Sequence, residues 1–202
     1  MTIQNLKQTS ADRVTVILED GEEIKTSLGV VASLRLFAGK DLDEETLAEL
    51  RRDSRRSLCR DRALELLSHR PMSRRELEKK LREKGEDEDA AQFSLDWLEE
   101  RGYLNDEDYA ARVARHYGSR GYGAGRIRAE LSRRGVPRDY WDQALEEAPA
   151  PDDKLDKLIA AKLRDPSDRD EVRKLSASLS RRGYSWEEIR SALRRYTDVE
   201  ED

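Results

Sequence analysis

Strict alternation of apolar and polar residues is confined to the start of the chain. Val14, Val16 and Leu18 alternate with polar or outward partners, Glu19-Asp20-Gly21 turns the chain, and Glu22–Thr26 leaves in the same parity. Val14, Val16, Leu18, Ile24 and Thr26 are therefore expected on one face of a β-hairpin, with Gly21 at the left-handed position of its loop. Ile3–Lys7 is a candidate third strand. A lone hairpin is marginal in water, so this module must pack on something, and docking on the first helical unit is expected. From Ser27 onward the period is helical. Leu28, Val31, Leu34 and Leu36 predict a short helix closing near Gly39. Asp43 can cap a longer one running towards Arg70-Pro71, with an expected break near Asp53-Ser54.

Beyond that helix the pattern itself repeats. Leu77-x3-Leu81-x3-Gly85 recurs as Ile127-x3-Leu131-x3-Gly135 and as Leu175-x3-Leu179-x3-Gly183, at offsets of 50 and 48 residues. Apolar residues at i and i+4 share one side of a helix, and glycine just past its end suits the left-handed residue that terminates helices. Amphipathic segments flank each copy: Ala63–Leu67 and Phe93–Leu98; Tyr109, Val113 and Tyr117, then Tyr140, Trp141 and Leu145; Leu155, Leu158, Ile159 and Leu163, then Trp186, Ile189 and Leu193. Ser73-Arg-Arg-Glu76 and Ser185-Trp-Glu-Glu188 read as capping boxes.

The expected fold is mainly α, with three tandem three-helix repeats behind a small N-terminal β-hairpin and helix. The expected divisions are 1–54 for the leader, 55–104, 105–150 and 151–202 for the repeats. A unit of about 45 residues is marginal alone and gains stability by stacking on its neighbour. Trp97, Trp141 and Trp186 are expected in the packing.

Composition narrows the function. Charged residues make up 41% and apolar ones 36% of the chain, too polar for a large enzyme built on buried parallel strands. The longest uncharged stretch, Thr26–Leu34, has nine residues where a membrane span needs about 20. No secretion signal opens the sequence, and the single Cys59 has no partner thiol, which fits a cytoplasmic protein. His69 and His116 lie 47 residues apart without ligand-spaced neighbours, so neither a metal nor another cofactor is expected. The carboxylates fall in mixed-sign helical runs, and no nucleophile or metal motif occurs, so the expectation is a protein without catalysis.

The net charge of −5 conceals an uneven distribution. Residues 1–50 hold five basic and ten acidic side chains, whereas 110–138 hold eight arginines and one acid, Glu130, for a local +7. Arginine's planar fork suits phosphate and carboxylate recognition. Within this block Gly118–Arg126 is dense in glycine but lacks the GK[ST] ending and the preceding strand of a phosphate loop. A loop between two helices, where glycine permits a tight approach, explains it better. Tyr117, Arg120, Tyr122, Arg126 and Arg128 nevertheless mix aromatic faces and guanidinium groups around a helix start. Arg126, Arg133 and Arg134 can project together while Ile127 and Leu131 face inward. Such a surface fits nucleic acid or an acidic protein, and composition does not separate the two.

Arg101-Gly-Tyr-Leu-Asn-Asp106 followed by Tyr109-Ala110, then Arg120-Gly-Tyr-Gly123-x2-Arg126-Ile-Arg128-x-Glu-Leu131-x3-Gly135-Val136, resembles the RecX family, regulators of the RecA recombinase. Ser73-Arg-Arg-Glu-Leu77-x3-Leu81 looks like that family's first-unit signature, and the resemblance covers roughly residues 55–196. It implies an elongated, curved array of three-helix units and non-catalytic binding to the RecA filament on single-stranded DNA. It implies inhibition of filament extension, ATP hydrolysis, strand exchange and co-protease activity, and direct contact with single- and double-stranded DNA. The polarity of the terminal segments favours a monomer. The basic surface so implied is carried by Arg112, Arg115, Arg120, Tyr122, Arg126, Arg128, Arg133 and Arg134. Arg74, Arg75, Lys79, Arg181 and Arg182 extend it onto the flanking units. The sequence departs in its acidic balance and acidic Val199–Asp202 tail, which predicts weaker affinity for DNA alone.

Overall fold

The computed structural model describes residues 1–197; the acidic Val199–Asp202 segment lies outside them. The chain divides into two compact units, Met1–Leu104 and Asn105–Asp202.

The first unit opens with an antiparallel sheet of order β1-β2-β3, formed by β1 (Ile3–Gln8), β2 (Arg13–Leu18) and β3 (Glu23–Ser27). The third strand expected at Ile3–Lys7 is thus present. Val14 pairs with Thr26 and Val16 with Ile24, so all five residues assigned to one face are buried together. Gly21 takes a φ of +86°, and the Leu18 N–H donates to the Glu22 carbonyl across the turn. In β1 the register shifts between Ile3 and Asn5. A one-residue irregularity flips the parity of a strand, which lets Ile3 and Leu6 both reach the core.

The short helix α1 (Leu28–Ser33) is capped by Ser27 Oγ and ends sooner than the apolar spacing suggests. Arg35 turns the chain with a φ of +49°, and Leu36 is buried from the following loop instead. Asp43 caps α2 (Glu44–His69) through the Thr46 N–H at 2.7 Å. This helix runs unbroken through Asp53-Ser54, correcting the expected break. Its inward stripe passes from Leu47 and Leu50 to the buried small residues Ser54, Ser57 and Cys59, so helical periodicity survives where the leucines give way. One half of α2 closes the sheet core and the other belongs to the first three-helix unit, so the hairpin docks on the helix that both share. Arg13 adds an ion pair to Asp61 at 2.5 Å.

That first three-helix core is completed by α3 (Arg74–Glu83) and α4 (Glu88–Glu100), with Leu77, Leu81, Leu95 and Leu98 fully buried. Cys59 sits inside it, and burial pushes its thiol up to about 11, so it packs as a small apolar residue.

The second unit contains two further cores. One is built by α5 (Asp106–Ser119), α6 (Ala124–Arg133), a 3-10 turn at Arg138–Tyr140 and α7 (Trp141–Glu146). The other is built by α8 (Pro151–Ala160), α9 (Arg169–Arg181) and α10 (Trp186–Thr197). The residues of the repeated motif occupy the same places three times. Leu77/Leu81, Ile127/Leu131 and Leu175/Leu179 are buried, and Gly85, Gly135 and Gly183 have φ of +79°, +72° and +91°. In each copy the N–H after the glycine returns to the carbonyl of the second apolar residue: Glu86 to Leu81, Val136 to Leu131, Tyr184 to Leu179, at 3.1, 3.0 and 3.3 Å. These are Schellman turns, which satisfy the last carbonyls of the helix.

At α10 the Ser185 N–H donates to Glu188 at 2.6 Å while the Glu188 N–H donates to Ser185 Oγ at 3.2 Å, a reciprocal capping box. At α3 the Glu76 N–H donates to Ser73 Oγ at 3.1 Å. Of the tryptophans expected in the packing, Trp97 and Trp141 are half-buried against their cores. Trp186 is 62% exposed, a correction to that expectation. It stands at the first position of α10, at the edge of the third core, where it lines an open groove with Pro166, Val172 and Ala177.

Candidate partner-binding surface

The one acid of the arginine block is its organising centre. Glu130 lies on α6 between the core residues Ile127 and Leu131 and is only 4% exposed. Arg126 Nη2 donates to its Oε1 at 3.2 Å, and Arg133 donates to Oε2 through Nη2 at 2.6 Å and Nε at 3.1 Å. Arg134 Nε lies 3.7 Å from the same oxygen, and its Nη1 donates to the Tyr109 hydroxyl at 2.8 Å. Burial works to raise the Glu130 pKa, but the Arg133 hydrogen bonds and charge, the Tyr117 hydroxyl and Arg126 outweigh it and hold the carboxyl below its usual range. Three guanidinium groups on one carboxylate leave a local excess of two positive charges. Arg126 and Arg133 are thus held in place while their outer edges face solvent. Arg126, Arg133 and Arg134 are thus brought together around Glu130.

The other arginines of the block serve neighbours as well. Arg128 reaches Asp142 on α7 at 3.5 Å, Arg112 pairs with Asp108 one turn earlier at 2.7 Å, and Arg115 bonds Glu147. Arg120 is exposed and has no ion pair among the described residues. Exposed pairs of this kind contribute little to stability and are readily exchanged for a partner's phosphate or carboxylate.

Tyr122 and Arg182 have a different place. The Tyr122 ring lies between Tyr117, centroid 5.5 Å away, and the Arg182 guanidinium at 5.4 Å. Arg182 Nη1 also donates to the carbonyls of Gly121 at 3.3 Å and Arg120 at 3.4 Å. These two side chains tie the third repeat to the second. Backbone hydrogen bonds reinforce the joint, with the Gly123 N–H donating to the Arg182 carbonyl at 3.0 Å and the Gly125 N–H to the Gly183 carbonyl at 2.9 Å. The glycine-dense stretch is accordingly an inter-repeat seam. A Cβ on Gly123 would sit 2.5 Å from the Gly183 carbonyl oxygen, and one on Gly183 would sit 2.1 Å from the Arg126 nitrogen.

Arg181 is exposed on the same α9 terminus. Arg74, Arg75 and Lys79 lie in the first unit. Arg74 links α3 to α4 through Asp96 and Glu99, Lys79 pairs with Glu83 at 3.8 Å, and Arg75 is exposed.

The first unit also carries a group that the sequence reading passed over. On α4 Phe93 and Trp97 are one turn apart, and on α2 Arg56 and Arg60 match that spacing. Arg56 stacks over Phe93 at 4.4 Å and Arg60 over Trp97 at 4.8 Å; Arg101 also lies over Trp97, at 4.2 Å. The Tyr103 ring lies parallel to Trp97, 5° from coplanar, with centroids 6.0 Å apart. The paired i, i+4 spacings were the available signal.

Tandem three-helix units, one of them carrying an arginine cluster ordered around Glu130, define a helical-repeat protein. Its family is shown by comparison with known proteins. Models of the first, second and third RecX three-helix domains match residues 59–98, 105–145 and 152–193, together more than half the chain. The chain belongs to the RecX family. Among similar curated proteins, "Regulatory protein RecX" of Xanthomonas axonopodis pv. citri (strain 306) is 38% identical over 137 residues, 66% of this chain and 84% of that protein. The protein of the same name from Vibrio vulnificus (strain CMCP6) is 35% identical over 138 residues, 67% and 90% of the respective chains. Two solved structures share the fold. "Crystal structure of regulatory protein RecX" superposes with a TM-score of 0.76 at 24% identity, covering 94% of this chain and 97% of its own. RecX from Lactobacillus salivarius gives 0.63 at 24% identity, covering 72% and 98%. The chain is thus a regulatory protein of mainly helical repeats, and no described helix is long and apolar enough to cross a membrane.

Proposed function

We propose that this protein regulates the RecA recombinase by binding the RecA filament on single-stranded DNA, inhibiting its extension and with it ATP hydrolysis, strand exchange and co-protease activity. The observation that carries the reading is the arginine face on α6, preorganised by the buried Glu130, in a chain of the RecX family. Fixed guanidinium groups suit the carboxylates of a protein partner and the phosphates of a bound strand, and holding them beforehand lowers the ordering cost of association. The action needs no bond-making step. A ligand that binds one filament state better than another shifts filament growth by that difference alone. Direct contact with DNA supports the same role, although the overall charge of −5 limits affinity for DNA without RecA.

The test is RecA ATP hydrolysis on preformed single-stranded DNA filaments, with this protein added well below one copy per RecA. Loss of hydrolysis is expected. The Arg126→Ala/Arg128→Ala/Arg133→Ala variant should lose most of the inhibition at unchanged helical content. Inhibition that begins only when the protein saturates the DNA would replace this reading with simple competition for the strand. A triple variant as inhibitory as the parent would remove the α6 face from the mechanism.

A further inference from the structure

Three Arg-Gly-Tyr triplets close helices in this chain: Arg101-Gly102-Tyr103 after α4, Arg120-Gly121-Tyr122 after α5 and Arg182-Gly183-Tyr184 after α9. Each glycine is left-handed, with φ of +70°, +73° and +91°. Two of the tyrosines are used internally, since Tyr184 is buried in the third core and Tyr122 is held between Tyr117 and Arg182. Tyr103 is not. It is 60% exposed, with Trp97 parallel to it and the neighbouring Phe93 39% exposed. Exposed flat aromatics in line with stacked guanidinium groups are an unusual surface for a chain so poor in aromatics, 6% by composition.

We propose that Phe93, Trp97 and Tyr103, with Arg56, Arg60 and Arg101, form a stacking platform for the unpaired bases of single-stranded nucleic acid, separate from the arginine face on α6. The chemistry selects this ligand. Every base has a π-face that stacks on an aromatic ring or a guanidinium plane, whatever its sequence. Base and charge are supplied together, because Arg60 and Arg101 lie over the one Trp97 ring and can meet the phosphates beside a stacked base. Carboxylates touch the flanks of the platform, Asp89 on Arg56 at 2.9 Å and Glu100 on Arg101 at 3.8 Å, and no ion pair among the described residues occupies Arg60. Duplex DNA keeps its bases stacked on one another and has none to offer, so the platform is selective for a single strand. An acidic peptide would be met by the same arginines but would leave the exposed part of the Tyr103 ring uncovered.

This inference deepens the reading of the chain as a filament regulator by naming where it meets the strand, and its test runs without RecA so that the two fail separately. The probe is an oligodeoxythymidine of about 20 nucleotides, matched to ordinary single-strand site sizes. Tyr103→Ala in the full chain should weaken binding about fivefold or more, the loss expected from one base-aromatic stack. The salt dependence should stay as in the parent, because no phosphate contact is removed. Arg60→Gln should instead flatten the salt dependence. Photo-crosslinking with bromodeoxyuridine in the same oligomer should mark Trp97 or Tyr103, which covers the case of a variant that fails to fold. Unchanged affinity in Tyr103→Ala together with crosslinks confined to α6 would overturn the proposal. Equal affinity for a duplex of the same length in the Arg126→Ala/Arg128→Ala/Arg133→Ala background would overturn it as well, by showing phosphate binding at the platform without base stacking.

Discussion

Gly85 and Gly183 close the same helix of the same repeated unit with the same Schellman turn, yet their surroundings differ completely. Around Gly85 no atom lies within 4 Å of where a Cβ would stand, and the turn faces solvent. Gly183 is pressed into the start of α6, with the Arg126 backbone nitrogen 2.1 Å from that point. The first glycine answers only to its own helix. The second answers also to a neighbouring repeat, and through it to Arg126, a member of the arginine face. A repeated motif therefore fixes local geometry three times over, while the neighbour decides what each copy is for.

The sharpest way to break this comparison is Gly183→Ala. Strain at positive φ adds to backbone overlap, and the variant should lose about 3 kcal/mol or more of stability in urea unfolding. Gly85→Ala, with strain alone, should lose about 1–2 kcal/mol. Equal losses would show that the seam between the second and third repeats yields freely.

Glu130→Gln probes the other side of that seam, where three arginines share one carboxylate. The loss should be about 1.5 kcal/mol, at the low end for charge-assisted hydrogen bonds because the guanidinium groups are partly exposed. The sign of the pH effect follows from the lowered pKa. Glu130 stabilises the fold above its ordinary value of 4.5, and this contribution disappears as pH falls through the lower folded value. Acid unfolding monitored by circular dichroism should begin from a lower plateau in Glu130→Gln, and the difference between the proteins should shrink below pH 4.5. The same variant should weaken RecA inhibition, since Arg126 and Arg133 lose their shared anchor.

Ser185→Ala should have the smallest effect, about 1 kcal/mol, from removing half of a reciprocal capping box. Ser73→Ala compares the cap of the middle helix of the first repeat, where Ser73 is buried. A larger loss there, read from thermal unfolding, would show that burial rather than the cap bond sets the cost.

The hairpin face, the three buried apolar pairs with their terminal glycines, the cap of α2 and the family are all legible in the order of residues alone. These depend on period, parity and turn chemistry, which are local and therefore written in spacing. That order located the arginine block too, and placed Arg126, Arg133 and Arg134 on one side of α6. The remainder depends on how the helices pack. Asp53-Ser54 looked like a break because apolar spacing thins there, but small residues suffice where α2 is packed against α4. Trp186 has the spacing of a core residue, i−3 from the buried Ile189, but at the start of α10 it lies at the edge of the core and lines an open groove beside α9. Arg182 and Tyr122 looked like free surface until the third repeat was seen clasping the second. Glu130 is a lone exception in a count of charges, Phe93 and Trp97 belong to an amphipathic segment and Tyr103 to a family motif; burial of the first and exposure of Phe93 and Tyr103 give them their places. Which face of a helix meets a neighbour is fixed by contacts between residues far apart in the chain, and no local pattern records it.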